Sequence, residues 1–122
     1  MELQIAVRNA DGVTIVDVAG EVDLYTVPQL EEALRGAASG AQPLLGVNLS
    51  RVTYLDSTGL RVLTEWSKQA RARQGAFAVI ADQPTIQKLF HITGLGGIVP
   101  VLATEREAIA HLKGQPPTPP AR

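Results

Sequence analysis

A carboxylate and two hydroxyls stand side by side at Asp56, Ser57 and Thr58, directly before Gly59 and Leu60. Aspartate and serine side chains accept hydrogen bonds from the free N–H groups of a first helical turn, so a helix is predicted to begin here. A helix N-terminus also carries partial positive charge. A phosphate on the Ser57 hydroxyl would therefore leave the fold intact, while it would add about −1.5 to −2 charge to the surface beside Asp56.

The neighbouring elements place this hydroxyl at a surface corner. Residues 44–49 form a nearly continuous apolar run, which is typical of a central strand covered on both faces. Beyond the corner, apolar residues recur every three or four positions and predict an amphipathic helix over about residues 58–73. Gly75 is predicted to be its left-handed cap. The Ser57 hydroxyl should thus project from the carboxyl end of a central strand.

Three segments of the chain resemble the STAS family, the anti-sigma factor antagonists of bacteria. Residues 56–60, which follow a strand ending in Asn48-Leu49-Ser50, resemble the family's phosphorylation-site loop. Gly20-Glu21-Val22-Asp23 resembles its Gly-Glu-hydrophobic-Asp segment. Residues 84–95 resemble its third helix and the loop after it. The segments stand in the family's order and at its spacing, and the resemblance covers roughly residues 2–112.

The resemblance implies roles for particular residues. The family's phosphorylated residue directly follows the aspartate, which makes Ser57 the expected phosphorylation site and Thr58 a weaker candidate. It also places the second and third strands side by side, so Asp23 should share one exposed partner-binding surface with Asp56, Ser57, Thr58 and Gly59. By residue type alone, Asp23 is equally well a turn residue, Asp56 a complement to the helix dipole, and Gly59 a point of close approach by a strand or a partner.

The remaining pattern predicts one α/β domain over residues 1–113, with a mixed sheet of about five strands and about four helices. Asp11-Gly12 marks an N-terminal antiparallel hairpin. A short last strand is expected over residues 98–102. The Pro-rich residues 114–122 are expected to be a tail that is disordered or in polyproline II conformation. The sequence thus predicts a single STAS-like domain followed by a short tail.

Two further helix starts carry the sequence signature of a capping box. Thr26 is followed three residues later by Gln29, and Thr104 by Glu107. In each pair the hydroxyl is predicted to accept a bond from the third helical N–H group. Both helices should therefore begin directly after a threonine.

Composition argues against several other classes of protein. The 122 residues carry a formal net charge of −1 and no cysteine, so a nucleic-acid partner and a thiolate metal site are not expected. His91 and His111 fall on separate predicted helices without neighbours at ligand spacing, so neither a metal site nor a catalytic site is predicted. No apolar run approaches the ~20 residues of a membrane span. A cytoplasmic protein that is not an enzyme is expected.

The resemblance implies an anti-sigma factor antagonist. Unphosphorylated, the protein would sequester an anti-sigma factor of the serine kinase type and free a sigma factor; phosphorylated on Ser57, it would release that kinase until a phosphatase restored the hydroxyl. No cofactor is expected, since ATP belongs to the kinase. Two alternatives stay open: a standalone STAS subunit of a stress-sensing or lipid-transport complex, and a small-ligand or nucleotide-binding domain that uses the helix start at Ser57 as an anion site.

Overall fold

The computed structural model describes residues 3–114, and most of the predicted tail lies outside that range. Strands and helices alternate after an opening hairpin. The strands are β1 Gln4–Ala10, β2 Val13–Val22, β3 Leu44–Leu55, β4 Ala76–Ile80 and β5 Val101–Leu102. The helices are α1 Val27–Ala37, α2 Ser57–Ala72, α3 Pro84–Ile92 and α4 Glu105–Leu112, with a 3-10 turn at Leu95–Gly97. The predicted α/β class is confirmed.

The strands form one mixed sheet in the order β1-β2-β3-β4-β5. β1 and β2 are antiparallel, and Asp11 and Gly12 between them have φ angles of 52° and 84°, as the predicted hairpin turn requires. The pairs β2–β3, β3–β4 and β4–β5 are parallel. β3 is therefore the central strand, as its apolar run indicates.

Two cores of unequal size lie on opposite faces of the sheet. The larger one packs α1, α2 and α3 against residues such as Val16, Val47 and Val79. The smaller one packs α4 against Val13 and Ile15 of β2 and against β4. Because helices cover both faces of the sheet around β4 and the first half of β3, residues 44–47 and 76–80 are apolar, whereas β1 at the edge is mostly exposed.

α2 begins one residue earlier than predicted and ends one residue earlier. Its predicted inward residues are all buried: Leu60, Leu63, Ser67 and Ala70. The prediction for Gly75 is wrong, because Gln74 is the residue with a positive φ, 61°. Gly75 is needed for another reason: Ala76 donates to the Pro43 carbonyl at 2.8 Å, and a Cβ on Gly75 would overlap that carbonyl group.

β3 is longer than its neighbour β4, and this difference shapes the molecule. β4 pairs with β3 only as far as Asn48, while β2 accompanies β3 to its end at Leu55. The last seven residues of β3 therefore project about 23 Å beyond the β4 pairing. This overhang carries the start of α2 away from the body of the sheet.

Candidate functional site

Two loops meet at the end of the β3 overhang. Val22 and Leu55 are paired at the carboxyl ends of β2 and β3, and the Asp56 N–H donates to the Val22 carbonyl at 3.1 Å. The loop that begins at Asp23 and the helix start at Ser57 therefore lie side by side. We call residues 21–26 and 53–58 the Ser57 corner. The predicted adjacency of the two loops is confirmed.

Asp56 is the residue that caps α2. Its backbone is extended, and its Oδ1 accepts from the N–H groups of Thr58 at 3.0 Å and Gly59 at 3.1 Å. Ser57 is the first helical residue and is exposed, whereas Thr58 is partly buried. Within residues 3–114, no protein group hydrogen-bonds to the Ser57 hydroxyl. Because the carboxylate satisfies the helix start, this hydroxyl is left available to solvent and to a partner.

Gly59 has a packing role. It is buried, and a Cβ built on it would lie 2.5 Å from Leu55 Cδ1 and 2.7 Å from Val22 Cγ1. The absence of a side chain lets α2 start directly against the ends of β2 and β3. Of the two explanations that the sequence leaves open, close approach by a strand is confirmed. Gly59 therefore shapes the Ser57 corner from below and does not line its surface.

Asp23 is a turn residue. Its Oδ1 accepts from the N–H groups of Tyr25 at 2.9 Å and Thr26 at 3.0 Å, and its main-chain carbonyl accepts from the Val27 N–H at 2.9 Å. The Asp23 side chain thus organises the chain before α1. The turn role that its residue type allows is therefore confirmed, and its predicted part in partner binding stays a prediction. All of its side-chain bonds from backbone N–H groups use one carboxylate oxygen.

The capping box predicted at Thr26 does not form. The Thr26 hydroxyl accepts from the Asp23 N–H at 3.0 Å and donates to the Glu21 carbonyl at 2.8 Å, so it closes the preceding loop. The side chain makes no capping bond to α1. Thr26 is only 4% exposed, because it ties the β2–α1 loop to the end of β2.

Apolar and aromatic side chains stand out from the Ser57 corner. Tyr25 is 88% exposed and Leu24 65% exposed in the β2–α1 loop, and Tyr54 is 50% exposed near the end of β3. No sequence motif or periodicity predicts a role for these three residues. The available signal was an apolar and an aromatic residue in a loop outside any helical or strand periodicity. Large exposed side chains of this kind around a free hydroxyl are typical of a protein-docking surface.

An open groove of about 580 Å³ separates the start of α2 from α3. β4 does not accompany the β3 overhang, and the groove lies between this overhang, the start of α2 and α3. The Gln83 amide holds this arrangement by donating to the carbonyls of Leu49 at 2.8 Å and Val52 at 2.9 Å. The residues that line the groove include Tyr54, Asp56, Ser57, Ile86, Leu89 and Thr93. The third segment of the resemblance therefore contributes to the surface beside Ser57.

A cluster of charged side chains lies on the sheet face that α4 covers. Arg8 bonds Asp17 at 2.6 Å and also bonds Glu105, while the Asn48 amide donates to Asp17 at 2.9 Å. The Arg8 guanidinium lowers the pKa of the Asp17 carboxyl, and hydrogen bonds to Glu105 and Asp17 raise the pKa of Arg8. The charges of this cluster are paired with one another, so it anchors α4 to the sheet.

The histidines lie apart, His91 on α3 and His111 on α4. Residues 3–114 contain no group of three or more metal-ligating side chains. Over the same range, no helix has the length and apolar character needed to cross a membrane.

The family model described as Mlab, STAS domain matches residues 5–102. The anti-sigma-B factor antagonist of Listeria monocytogenes is 36% identical over 107 residues, which cover 88% of this chain and 93% of the relative.

Solved structures share the fold. The crystal structure of an anti-sigma factor antagonist from Mycobacterium paratuberculosis has a TM-score of 0.82 and 31% identity, covering 91% of this chain and 94% of that one. The Bacillus cell fate determinant SpoIIAA in its phosphorylated form has a TM-score of 0.65 and 24% identity, covering 89% and 97%.

Proposed function

The chain belongs to the STAS domain family, and from this premise we propose that it is an anti-sigma factor antagonist switched by phosphorylation of Ser57. Unphosphorylated, it binds an anti-sigma factor of the serine kinase type and so frees a sigma factor. Phosphorylated, it releases that kinase. It acts as a regulatory binding protein in the cytoplasm and is not itself an enzyme.

One observation carries the proposal: Ser57 is exposed at the start of α2 while Asp56 makes the capping bonds. A kinase can therefore reach the hydroxyl without unwinding the helix. In the transfer, the Ser57 Oγ forms a bond to the γ-phosphorus of ATP as the bond to ADP breaks, and the hydroxyl proton passes to a base of the kinase. A phosphatase then hydrolyses the ester to inorganic phosphate and restores the serine.

The surroundings of Ser57 support docking of a protein. Leu24, Tyr25 and Tyr54 supply apolar and aromatic area, and the groove toward α3 adds a concave surface. Aromatic side chains of this kind dominate binding energies in many interfaces. Asp56, Ser57 and Thr58 are the proposed contact residues of the helix start. Asp23 contributes through the loop that it organises and through its second carboxylate oxygen.

Phosphorylation would act at this interface by charge. A phosphate beside the Asp56 carboxylate concentrates negative charge in the middle of the docking surface, where the partner must exclude water. Like-charge contact at an interface can cost several kcal/mol, so release of the partner does not require a change of fold. The helix dipole meanwhile favours the phosphate on its own chain. The two effects together produce a switch that changes binding and leaves the domain stable.

The test is binding to a purified anti-sigma factor of the kinase type. Ser57→Glu should weaken binding at least about tenfold, whereas Ser57→Ala should bind like the wild type and accept no phosphate. Gln69→Glu is the matched control, because it adds the same charge to the exposed face of α2 about 18 Å away. Equal affinities for Ser57→Glu and wild type would overturn the switch, and no binding by the wild type would overturn the antagonist function.

A further inference from the structure

An arginine lies one helical turn after Ser57. Arg61 is four residues further along α2, and both residues are exposed. Residues four apart face the same side of a helix, with Cβ atoms about 5–6 Å apart. Helical side chains also tilt toward the N-terminus, so the Arg61 side chain leads back toward Ser57. The spacing brings a cation within reach of anything attached to the Ser57 hydroxyl.

The Arg61 guanidinium has no protein partner in the part of the chain that the structure describes. The ion pairs found over residues 3–114 involve Arg8 and Arg35, while Arg73 bonds main-chain carbonyls of the α1–β3 loop. Arg61 is in none of these contacts. Its five donors are free to bind a new anion.

We infer that Arg61 clamps the phosphate of phosphorylated Ser57 against the exposed face of α2. This inference rests on the proposed function, since the phosphate must first be attached. A guanidinium presents a planar fork that matches the oxygens of a phosphate, and such charge-assisted bonds are stronger than neutral ones. The clamp would hold the phosphate at the start of α2, still beside the Asp56 carboxylate and within the docking surface. In the phosphorylated protein the phosphate then has one preferred position, in contact with Arg61.

The other charged groups around the phosphate favour this pairing. Asp56 precedes the site and Asp23 lies in the neighbouring loop, so both repel a phosphate. Glu65, one turn beyond Arg61, competes for the guanidinium. An acidic group pairs best when it lies N-terminal to its basic partner, which favours the phosphate at position 57 over Glu65. Arg61 is therefore the basic group on α2 best placed to hold the phosphate.

The test uses the full chain carrying phosphoserine at position 57, installed by genetic encoding so that no kinase is needed. Phosphorus NMR follows the second ionisation of the phosphate, whose pKa is ordinarily about 6. Arg61→Gln should raise this pKa by roughly 0.3 or more relative to the unsubstituted phosphoprotein. Arg71→Gln removes an equally exposed arginine about 15 Å further along α2, beyond the screening length of about 8 Å, and should leave the pKa unchanged.

These measurements test the contact between Arg61 and the phosphate, separately from the kinase reaction. Arg61→Lys keeps the charge and should retain most of the lowered pKa, and circular dichroism confirms that every variant is folded. Equal phosphate pKa values in the unsubstituted and Arg61→Gln phosphoproteins, or an equal effect of Arg71→Gln, would overturn the inference. Because phosphoserine is installed without a kinase, failure of a kinase to modify Ser57 would contradict the proposed function and leave this result standing.

Discussion

The starts of α2 and α4 use the same residue types in opposite ways. At α4 the Thr104 hydroxyl is the cap, accepting from the Glu107 N–H at 3.2 Å and donating to the Glu107 carboxylate at 2.9 Å. Glu105 beside it pairs with Arg8. At α2 the Asp56 carboxylate is the cap, and the hydroxyl of Ser57 stays exposed. The Thr104 hydroxyl stabilises the start of α4, whereas the Ser57 hydroxyl at the start of α2 remains free to react.

The difference shows that a helix cap decides what the next side chain can do. A hydroxyl that caps a helix makes the bonds of the helix start itself, so any modification of it acts directly on those bonds. A hydroxyl one residue inside the helix can be modified while the carboxylate before it keeps the N–H groups satisfied. In the sequence Asp56-Ser57 the capping group and the group available for modification therefore belong to different residues. At α4 the Thr104 hydroxyl is itself the capping group.

The largest loss of stability should come from a side chain placed below Ser57, where α2 packs against the ends of β2 and β3. Gly59→Ala places a Cβ against Val22 and Leu55, which are packed within the core. We expect a loss of about 1–3 kcal/mol in the free energy of unfolding. Urea denaturation measures it. Gly97→Ala is the control, since a Cβ there meets no atom within 4 Å, and an equally stable Gly59→Ala would show that α2 does not depend on close packing at its start.

Removal of either cap should have the next largest effect. Asp56→Ala breaks the bonds to Thr58 and Gly59, and Thr104→Ala breaks the bond to Glu107. Each substitution should cost about 1 kcal/mol. Thermal unfolding of the two variants side by side measures this loss. Full stability of Asp56→Ala would mean that another group caps α2 and that the Ser57 hydroxyl is not spared by Asp56.

The charged anchor of α4 should respond to acid. Because Arg8 lowers the pKa of folded Asp17 below the ordinary value of about 3.9, ionised Asp17 stabilises the fold above that pH. This contribution is lost as the pH falls toward the lowered pKa. Both side chains are about one third exposed or more, so solvent screening limits it to roughly 0.2–1 kcal/mol.

The stability gap between wild type and Asp17→Asn measures this anchor. Urea unfolding should show a gap at pH 7 that narrows near pH 3. A gap that stays constant over that range would mean that Asp17 acts through its hydrogen bond to Asn48 and not through its charge.

The smallest loss of stability should come from substitution of Ser57 itself. Ser57→Ala removes an exposed hydroxyl that makes no capping bond, so the free energy of unfolding should change by no more than about 0.5 kcal/mol. Thr104→Ala serves as the contrasting variant in the same measurement. A loss of 1 kcal/mol or more for Ser57→Ala would remove the distinction between the two helix starts.

Local sequence patterns predicted most of the fold. The hairpin at Asp11-Gly12, the bounds of α2 to within one residue and the Thr104 cap of α4 all depend on residues close in the chain, and the structure confirms them. The capping box at Thr104 is half formed, because the Glu107 carboxylate accepts from the Thr104 hydroxyl. The error at Thr26 arose because an aspartate three residues earlier forms a tighter local turn with the same hydroxyl. The error at Gly75 arose because its neighbour in space, Pro43, is distant in sequence.

The shape of the site was harder to predict than its residues. The Asp56-Ser57 pair is visible in the sequence, but which side chain caps the helix depends on the extended backbone at Asp56. The groove depends on how far β3 outruns β4, which follows from register between strands. The exposure of Leu24 and Tyr25 depends on a loop closed by Asp23 and Thr26. These features arise from contacts between segments, and no periodicity encodes them.

The residue that receives the phosphate decides whether Ser57 is the switch of this protein. Wild type, Ser57→Ala and Thr58→Ala are incubated with ATP and a kinase-type anti-sigma factor, and the modified residue is located by peptide mass spectrometry. We expect a single phosphate on Ser57 in the wild type, the same phosphate in Thr58→Ala, and none in Ser57→Ala. Phosphate on the Ser57→Ala protein, or on Thr58 of the wild type, would contradict this expectation.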